Sequence, residues 1–124
     1  MNNLKIIGLF NDMSLSLKVA SLCNIYELDL LFPNYQENFY FLNNIKIAIL
    51  IIDIKNKQFV STFVKKILQK KIKTIKIGYM IKINNDLKNK NKNKYDIILD
   101  KETLIRNLEI IFKQIIKETN ESKN

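Results

Sequence analysis

Histidine does not occur in this chain, and cysteine occurs once, at Cys23. The first absence excludes imidazole-based metal sites and the usual general acid–base chemistry. It also excludes a hydrolase triad around Ser14, Ser16 or Ser21, which have no base within motif distance. The second leaves no internal disulfide and points to a reducing, cytoplasmic compartment. Cys23 has no CxxC partner and reads as a small buried hydrophobe. Glycine is limited to Gly8 and Gly78, and no GxGxxG or GxxxxGK phosphate loop is present. Gly8 reads as a site of close helix packing. The longest apolar run, Ile45–Ile52, is interrupted by Lys46 and is far short of the ~20 residues of a membrane helix. The N-terminus MNNLKIIGLF lacks the basic segment, apolar core and cleavage site of a signal peptide. Arginine is almost absent too: Arg106 stands alone among 21 basic residues. Dedicated nucleic-acid surfaces use arginine to read phosphate and guanine. Abundant lysine, asparagine and isoleucine match the codon drift of an A+T-rich genome. The net charge of +9 reads either as that drift on solvated faces or as a basic surface for nucleic acid or anionic membrane.

What is present suits one domain. The chain has 124 residues, 47% hydrophobic and 27% charged. Ile45–Asp53 is almost continuously apolar and β-branched until its closing carboxylate. Such a run predicts a strand covered on both faces, as in a parallel sheet. Open α/β sheets place their ligand sites at the carboxyl ends of such strands, where Asp53 falls.

Further strands are expected at Leu4–Phe10, Tyr26–Phe32, Ile72–Tyr79 and Tyr95–Leu99. Asp12 is placed to cap a helix over residues 13–24, in which Met13, Leu17 and Ala20 share one face beside Leu15, Val19 and Leu22. A short irregular helix is expected over Tyr35–Leu42. A strong amphipathic helix follows over Lys57–Lys71, with Phe59, Phe63 and Ile67 beside Val60, Val64 and Leu68. In the fourth strand Ile72, Ile75 and Ile77 are the inward candidates, and the alternation slips by one at Lys73-Thr74. Asn84–Lys94 reads as a solvated, partly disordered lysine-rich helix or loop. Lys101–Glu118 is the last helix, and residues 119–124 a disordered polar tail. Tyr79, Phe10 and Tyr95, near strand ends, read as core or rim residues. Alternating strands and helices give an α/β, flavodoxin-like (βα)5 three-layer sandwich with parallel order 2-1-3-4-5, one domain over residues 1–118.

Three segments resemble the receiver domain of response regulators. KIIGLFND (Lys5–Asp12) is similar to the family's first strand, which ends in an acidic pair. IAILIIDIKN (Ile47–Asn56) is similar to the third strand and its phospho-accepting aspartate. YDIILDKETLIRNLEIIF (Tyr95–Phe112) is similar to the fifth strand, its following lysine and the last helix. The resemblance implies a phospho-acceptor at Asp53, an acidic pocket from Asn11 and Asp12, and Mg²⁺ on Asp12 and Asp53 where that pocket works. It implies a switch lysine at Lys101 if the register slips by one; otherwise Asp100 holds that position. The chain departs from the family's pattern. Asn11 replaces one acid, or Phe10 and Asn11 fill the pair in a shifted register. Gly78-Tyr79-Met80 carries no Ser or Thr for the switch hydroxyl, and no proline follows Lys101. The expectation is a pseudo-receiver: not an enzyme, without a cofactor, acting in signalling through protein contacts. Its partner is expected on the face of the fourth helix, fifth strand and fifth helix, where a homodimer also fits. The polar tail leaves any output to that partner. The alternatives are a working response regulator phosphorylated on Asp53, or a basic nucleic-acid-binding module whose affinity falls steeply with salt.

Overall fold

A computed structural model describes residues 4–33 and 45–121, with the side chains of residues 59–61 and 121 left aside. Five parallel strands form one sheet: β1 (Leu4–Leu9), β2 (Asp29–Leu31), β3 (Ile47–Asp53), β4 (Lys73–Met80) and β5 (Ile97–Asp100). Their order is β2-β1-β3-β4-β5, the flavodoxin-like order expected from the alternation of strand and helix. Four α-helices accompany them among the described residues: α1 (Met13–Ile25), α2 (Lys65–Leu68), α3 (Asn85–Asn91) and α4 (Lys101–Glu121). None is long and apolar enough to cross a membrane.

The pleat of β3 divides the core. Ile49 and Ile51 join Leu4 and Ile6 of β1 beneath α1 and α4, where Leu15, Val19, Leu22, Leu104, Leu108 and Phe112 close the layer. Ala48, Leu50 and Ile52 point the other way, with Ile7 and Leu9, onto Phe63, Val64, Ile67 and Met80. Both faces of β3 are therefore dry, and its apolar run carries no alternation. Phe10 and Tyr79 belong to the first core and Tyr95 to the second.

Several boundaries move. α1 buries Leu15, Val19, Leu22 and Cys23, whereas Met13 and Leu17 are 71% and 65% exposed. This helix is apolar nearly all round, so periodicity alone does not choose the buried side. β2 is three residues long because α1 extends to Ile25 and its C-terminus occupies Tyr26 to Leu28. Glu27 takes a left-handed conformation (φ 55°). The Leu28 N–H then donates to the Cys23 carbonyl at 2.8 Å and the Glu27 N–H to the Asn24 carbonyl at 3.4 Å, a Schellman ending. The segment Phe59–Val64 is wound as a π-helix before α2. It buries Phe63, while α2 buries Ile67 and leaves Leu68 exposed. The side chains of Phe59 and Val60, and the helix expected at 35–42, lie outside the described residues. Ile72 packs on the opposite core from Ile75 and Ile77, as the slip of alternation at Lys73-Thr74 requires.

Part of the lysine-rich segment is the ordered helix α3. The Asn84 carboxamide oxygen caps it by accepting from the Leu87 N–H at 3.1 Å. β5 begins at Ile97, because the Asp96 carboxylate accepts from the Lys76 N–H at 2.7 Å and pins the chain entering the strand. α4 continues to Glu121, beyond the expected boundary at residue 118, and Thr119 is buried with its hydroxyl donating to the Ile115 carbonyl. Gly8 makes room for an aromatic ring and not for a helix. A Cβ there would lie 2.4 Å from the Phe32 ring, which meets Phe10 edge-on at 5.6 Å.

Glu27 is the clearest place to test the local energetics. Glycine adopts its left-handed conformation without the Cβ penalty. Replacing Glu27 with glycine is expected to raise stability by about 0.5–1 kcal/mol after the greater freedom of the unfolded chain is counted. Urea denaturation reads this directly, and a loss of stability would show that the Glu27 side chain matters more than its backbone.

Candidate functional site

All five parallel strands end along one edge of the sheet, and the chemistry-bearing residues gather there. Asn11 and Asp12 follow β1, Asp53 closes β3, Tyr79 lies near the end of β4 and Lys101 opens α4. β1 and β3 are neighbours whose connections run to opposite sides of the sheet, the switch point at which α/β folds open a crevice. A cavity of about 230 Å³ occupies this position, lined by Asn11, Asp12, Asp53, Lys55, Tyr79 and Ile81.

Asp12 is committed on both of its oxygens. Oδ1 accepts from the Leu15 N–H at 3.0 Å and the Ser14 hydroxyl at 2.8 Å, capping α1 as the sequence suggests. Oδ2 meets the Lys101 ammonium at 2.5 Å. That contact, with the Leu15 N–H next, holds the carboxyl down at a pKa of about 2. The ion pair joins the first turn of α1 to the first turn of α4.

After β5 it is Lys101 that contacts a lining residue of this cavity, Asp12. Asp100 turns its carboxylate to the start of α4, accepting from the Thr103 N–H at 2.7 Å. This backbone bond lowers the Asp100 pKa and makes the residue a helix cap.

Asp53 has the opposite electrostatics. It is half-buried, and loss of water is the main force raising its pKa; the nearby Asp12 charge adds to this. The Lys55 N–H, donating to Oδ1 at 3.1 Å, and the Lys55 charge pull the other way. Beside it on β4 is Tyr79, only 3% exposed and in register with Asp53. The Tyr79 ring packs edge-on against Phe10 at 6.0 Å. Burial, followed by the charges of Asp53 and Asp12, raises its phenol pKa. Tyr95 is raised in the same way, by burial first and by Asp53 second. Gly78 permits this crowding, since a Cβ there would stand 2.6 Å from Ile54 and 2.9 Å from Tyr95.

The donor set does not suit Mg²⁺. A hard divalent cation in near-octahedral geometry needs oxygens that are free to turn toward it. Asp12 spends its oxygens on the helix cap and Lys101, and Asn11 brings a neutral amide where a second acid would stand. Among the described residues, no three His, Cys, Asp or Glu side chains group as a metal site. The cavity is instead bordered by one acid bound on both oxygens, the lysine paired with it, and one carboxylate whose pKa burial raises.

No family model, curated protein or solved structure matches the chain. Two lining residues, Lys55 and Ile81, were not singled out from the sequence. Lys55 sits two positions beyond Asp53, in the turn that follows β3. That spacing is the only sequence signal for it.

Two measurements follow from these charges. A carboxyl whose folded pKa is depressed adds stability above its unfolded pKa and loses it as pH falls through the folded value. Asp12 is therefore expected to contribute on the order of 1 kcal/mol above about pH 4, lost as pH drops toward 2. Lys101→Met should flatten this part of a urea-stability profile, and an unchanged profile would show the ion pair to be energetically idle. The sign reverses for Asp53, whose raised pKa means that stability falls as pH climbs through it. Asp53→Asn is expected to stabilise the protein at pH 7, with the gain vanishing below the ordinary carboxyl pKa. A destabilised Asn variant at pH 7 would contradict that reading.

Proposed function

We propose that this chain is a receiver-like signalling module that works by protein contact and carries no phosphorylation cycle. The observation that supports this most is the commitment of Asp12 to Lys101 and to the α1 cap. Metal-assisted phosphoryl transfer to Asp53 requires acids free to hold the cation and donors free to meet the developing charge. Here one acid is bound on both oxygens and its neighbour is Asn11. The lysine that would meet phosphoryl oxygens is bound to Asp12. At the end of β4 the side chains are Tyr79, Met80 and Ile81, with no aliphatic hydroxyl among them. The unpaired, buried Cys23 agrees with a reducing, cytoplasmic setting.

A route for partner contact lies next to the pocket. Ile81 and Ile83 are exposed just beyond β4. They line a cavity of about 390 Å³ with Lys82, Asp100, Lys101, Glu102 and Ile105. Lys101 thus belongs to this outer groove while its ammonium holds Asp12 in the inner one. A partner seated between the β4 end and α4 would act directly on the Asp12–Lys101 pair. In this reading the acids and the lysine form a structural clasp beside a docking groove, and the same groove offers a symmetric contact to a second copy.

Intact-mass measurement after incubation with acetyl phosphate and Mg²⁺ tests the reading. The expected result is no added phosphoryl group, with the fold intact by circular dichroism. A stable adduct that disappears in Asp53→Ala would overturn it and establish Asp53 as a working phospho-acceptor.

A further inference from the structure

We infer that the outer face of the α2–α3 layer is a docking surface for the phosphate backbone of double-stranded nucleic acid. The basis is the partition of charge across the sheet. Residues 54–95 contain thirteen lysines and a single acid, Asp86, so this stretch alone exceeds the net charge of the whole chain. The topology gathers it on one side. Phe63, Val64 and Ile67, together with Leu87 of α3, turn their apolar groups onto the second core. Lys65, Lys66, Lys70, Lys88, Lys90 and Lys92 are exposed on the opposite faces of these elements.

Coding bias toward lysine does not explain the partition. Such a bias acts on every solvated surface alike. α4, whose outer side is also exposed, balances four basic residues with four acidic ones. On the α2–α3 side Lys65 and Lys66 lie in the last turn of α2 and Lys88 and Lys90 in the last turn of α3, with Asp86 the one acid of the stretch. Among the described residues this face is nearly one-signed, and such a face fits a polyanion.

Chemistry narrows the polyanion. Peripheral membrane anchors join basic groups to apolar side chains that enter the bilayer. Here the described apolar residues of the layer face inward, and Leu68 is the lone large hydrophobe left exposed on α2. Single-stranded nucleic acid is held by stacking on exposed aromatic rings. The described aromatics of this side, Phe63 and Tyr95, are buried. Lysine point charges without arginine forks position phosphates but read no bases. Among the described residues this chemistry favours sequence-independent binding to a duplex. The surface does not depend on how Asp53 behaves, and its test is separate from the phosphodonor experiment.

Fluorescence anisotropy of the full chain with a labelled duplex of about 20 base pairs, followed across a salt series, decides the matter. The expected Kd is of order 10⁻⁵ M near physiological salt, with log affinity falling linearly in log salt at about 0.9 per phosphate contacted. Replacing Lys65, Lys66, Lys88 and Lys90 together with glutamine should weaken binding at least tenfold and flatten the slope by about 2–4. The matched set Lys18→Gln, Arg106→Gln, Lys113→Gln and Lys117→Gln, on the other layer, should leave both unchanged. All of these positions are exposed, and unchanged melting curves verify that the variants fold. Equal losses from the two sets would overturn the inference, since net charge alone would then be responsible. So would absence of binding at low salt, or equal or tighter binding to phosphatidylserine vesicles or polyglutamate at matched charge.

Discussion

A strand sealed from water on both faces sets the terms for everything around it. Ile49 and Ile51 on one side of β3, and Ala48, Leu50 and Ile52 on the other, have essentially no solvent contact. No arrangement leaves such a strand at an edge or on an open face without exposing several large side chains, at roughly 1.5–3 kcal/mol each. The strand must sit centrally and carry a helical layer above and below. Parallel neighbours with helical crossovers supply both layers at once. The β2-β1-β3-β4-β5 order, the two separate cores and the convergence of all five strand ends at one edge follow from that requirement.

The polar edge of the sheet is organised by a second, smaller constraint. Backbone N–H groups at the starts of α1 and α4 need acceptors. Asp12 and Asp100 provide them, each as a cap. Because Asp12 also bonds Lys101, the first turns of the two helices are held together across the strand ends. Asp53 is left as the carboxylate whose environment disfavours its charge, through burial and the neighbouring Asp12. Stability is concentrated in Asp12 and strain of a mild electrostatic kind in Asp53. A site that kept Asp53 only for packing would gain by exchanging it for an amide or an apolar group.

The legible parts of the fold were those governed by short-range chemistry. The dry strand, expected at Ile45–Asp53 and observed as Ile47–Asp53, the cap at Asp12, the last helix and the strand order all rest on local pattern or on connection rules with few exceptions. The position of Asp53 at a strand end belongs to the same class. The illegible parts depended on what lies across from a residue. The short β2 was hidden because Tyr26 to Leu28 alternate like a strand yet close a helix. The buried side of α1 was hidden because Met13 and Leu17 are as apolar as Leu15 and Val19. The partner of Gly8 proved to be a ring from Phe32, a neighbour no spacing announces.

Sequence by itself determined the class of architecture and the identity of the edge where polar groups collect, since hydrophobic period and connection length are written along the chain. It also determined the charge of +9 and its crowding between residues 54 and 95. Only the tertiary structure decided that Lys101 meets Asp12 while Asp100 caps α4, because one residue of register at the start of a helix swings a side chain by about 100°. Only the structure, too, placed α2 and α3 on one side of the sheet, turning a count of lysines into a single charged face. Short-range chemistry chose the elements; the three-dimensional neighbours of each side chain chose what those elements present.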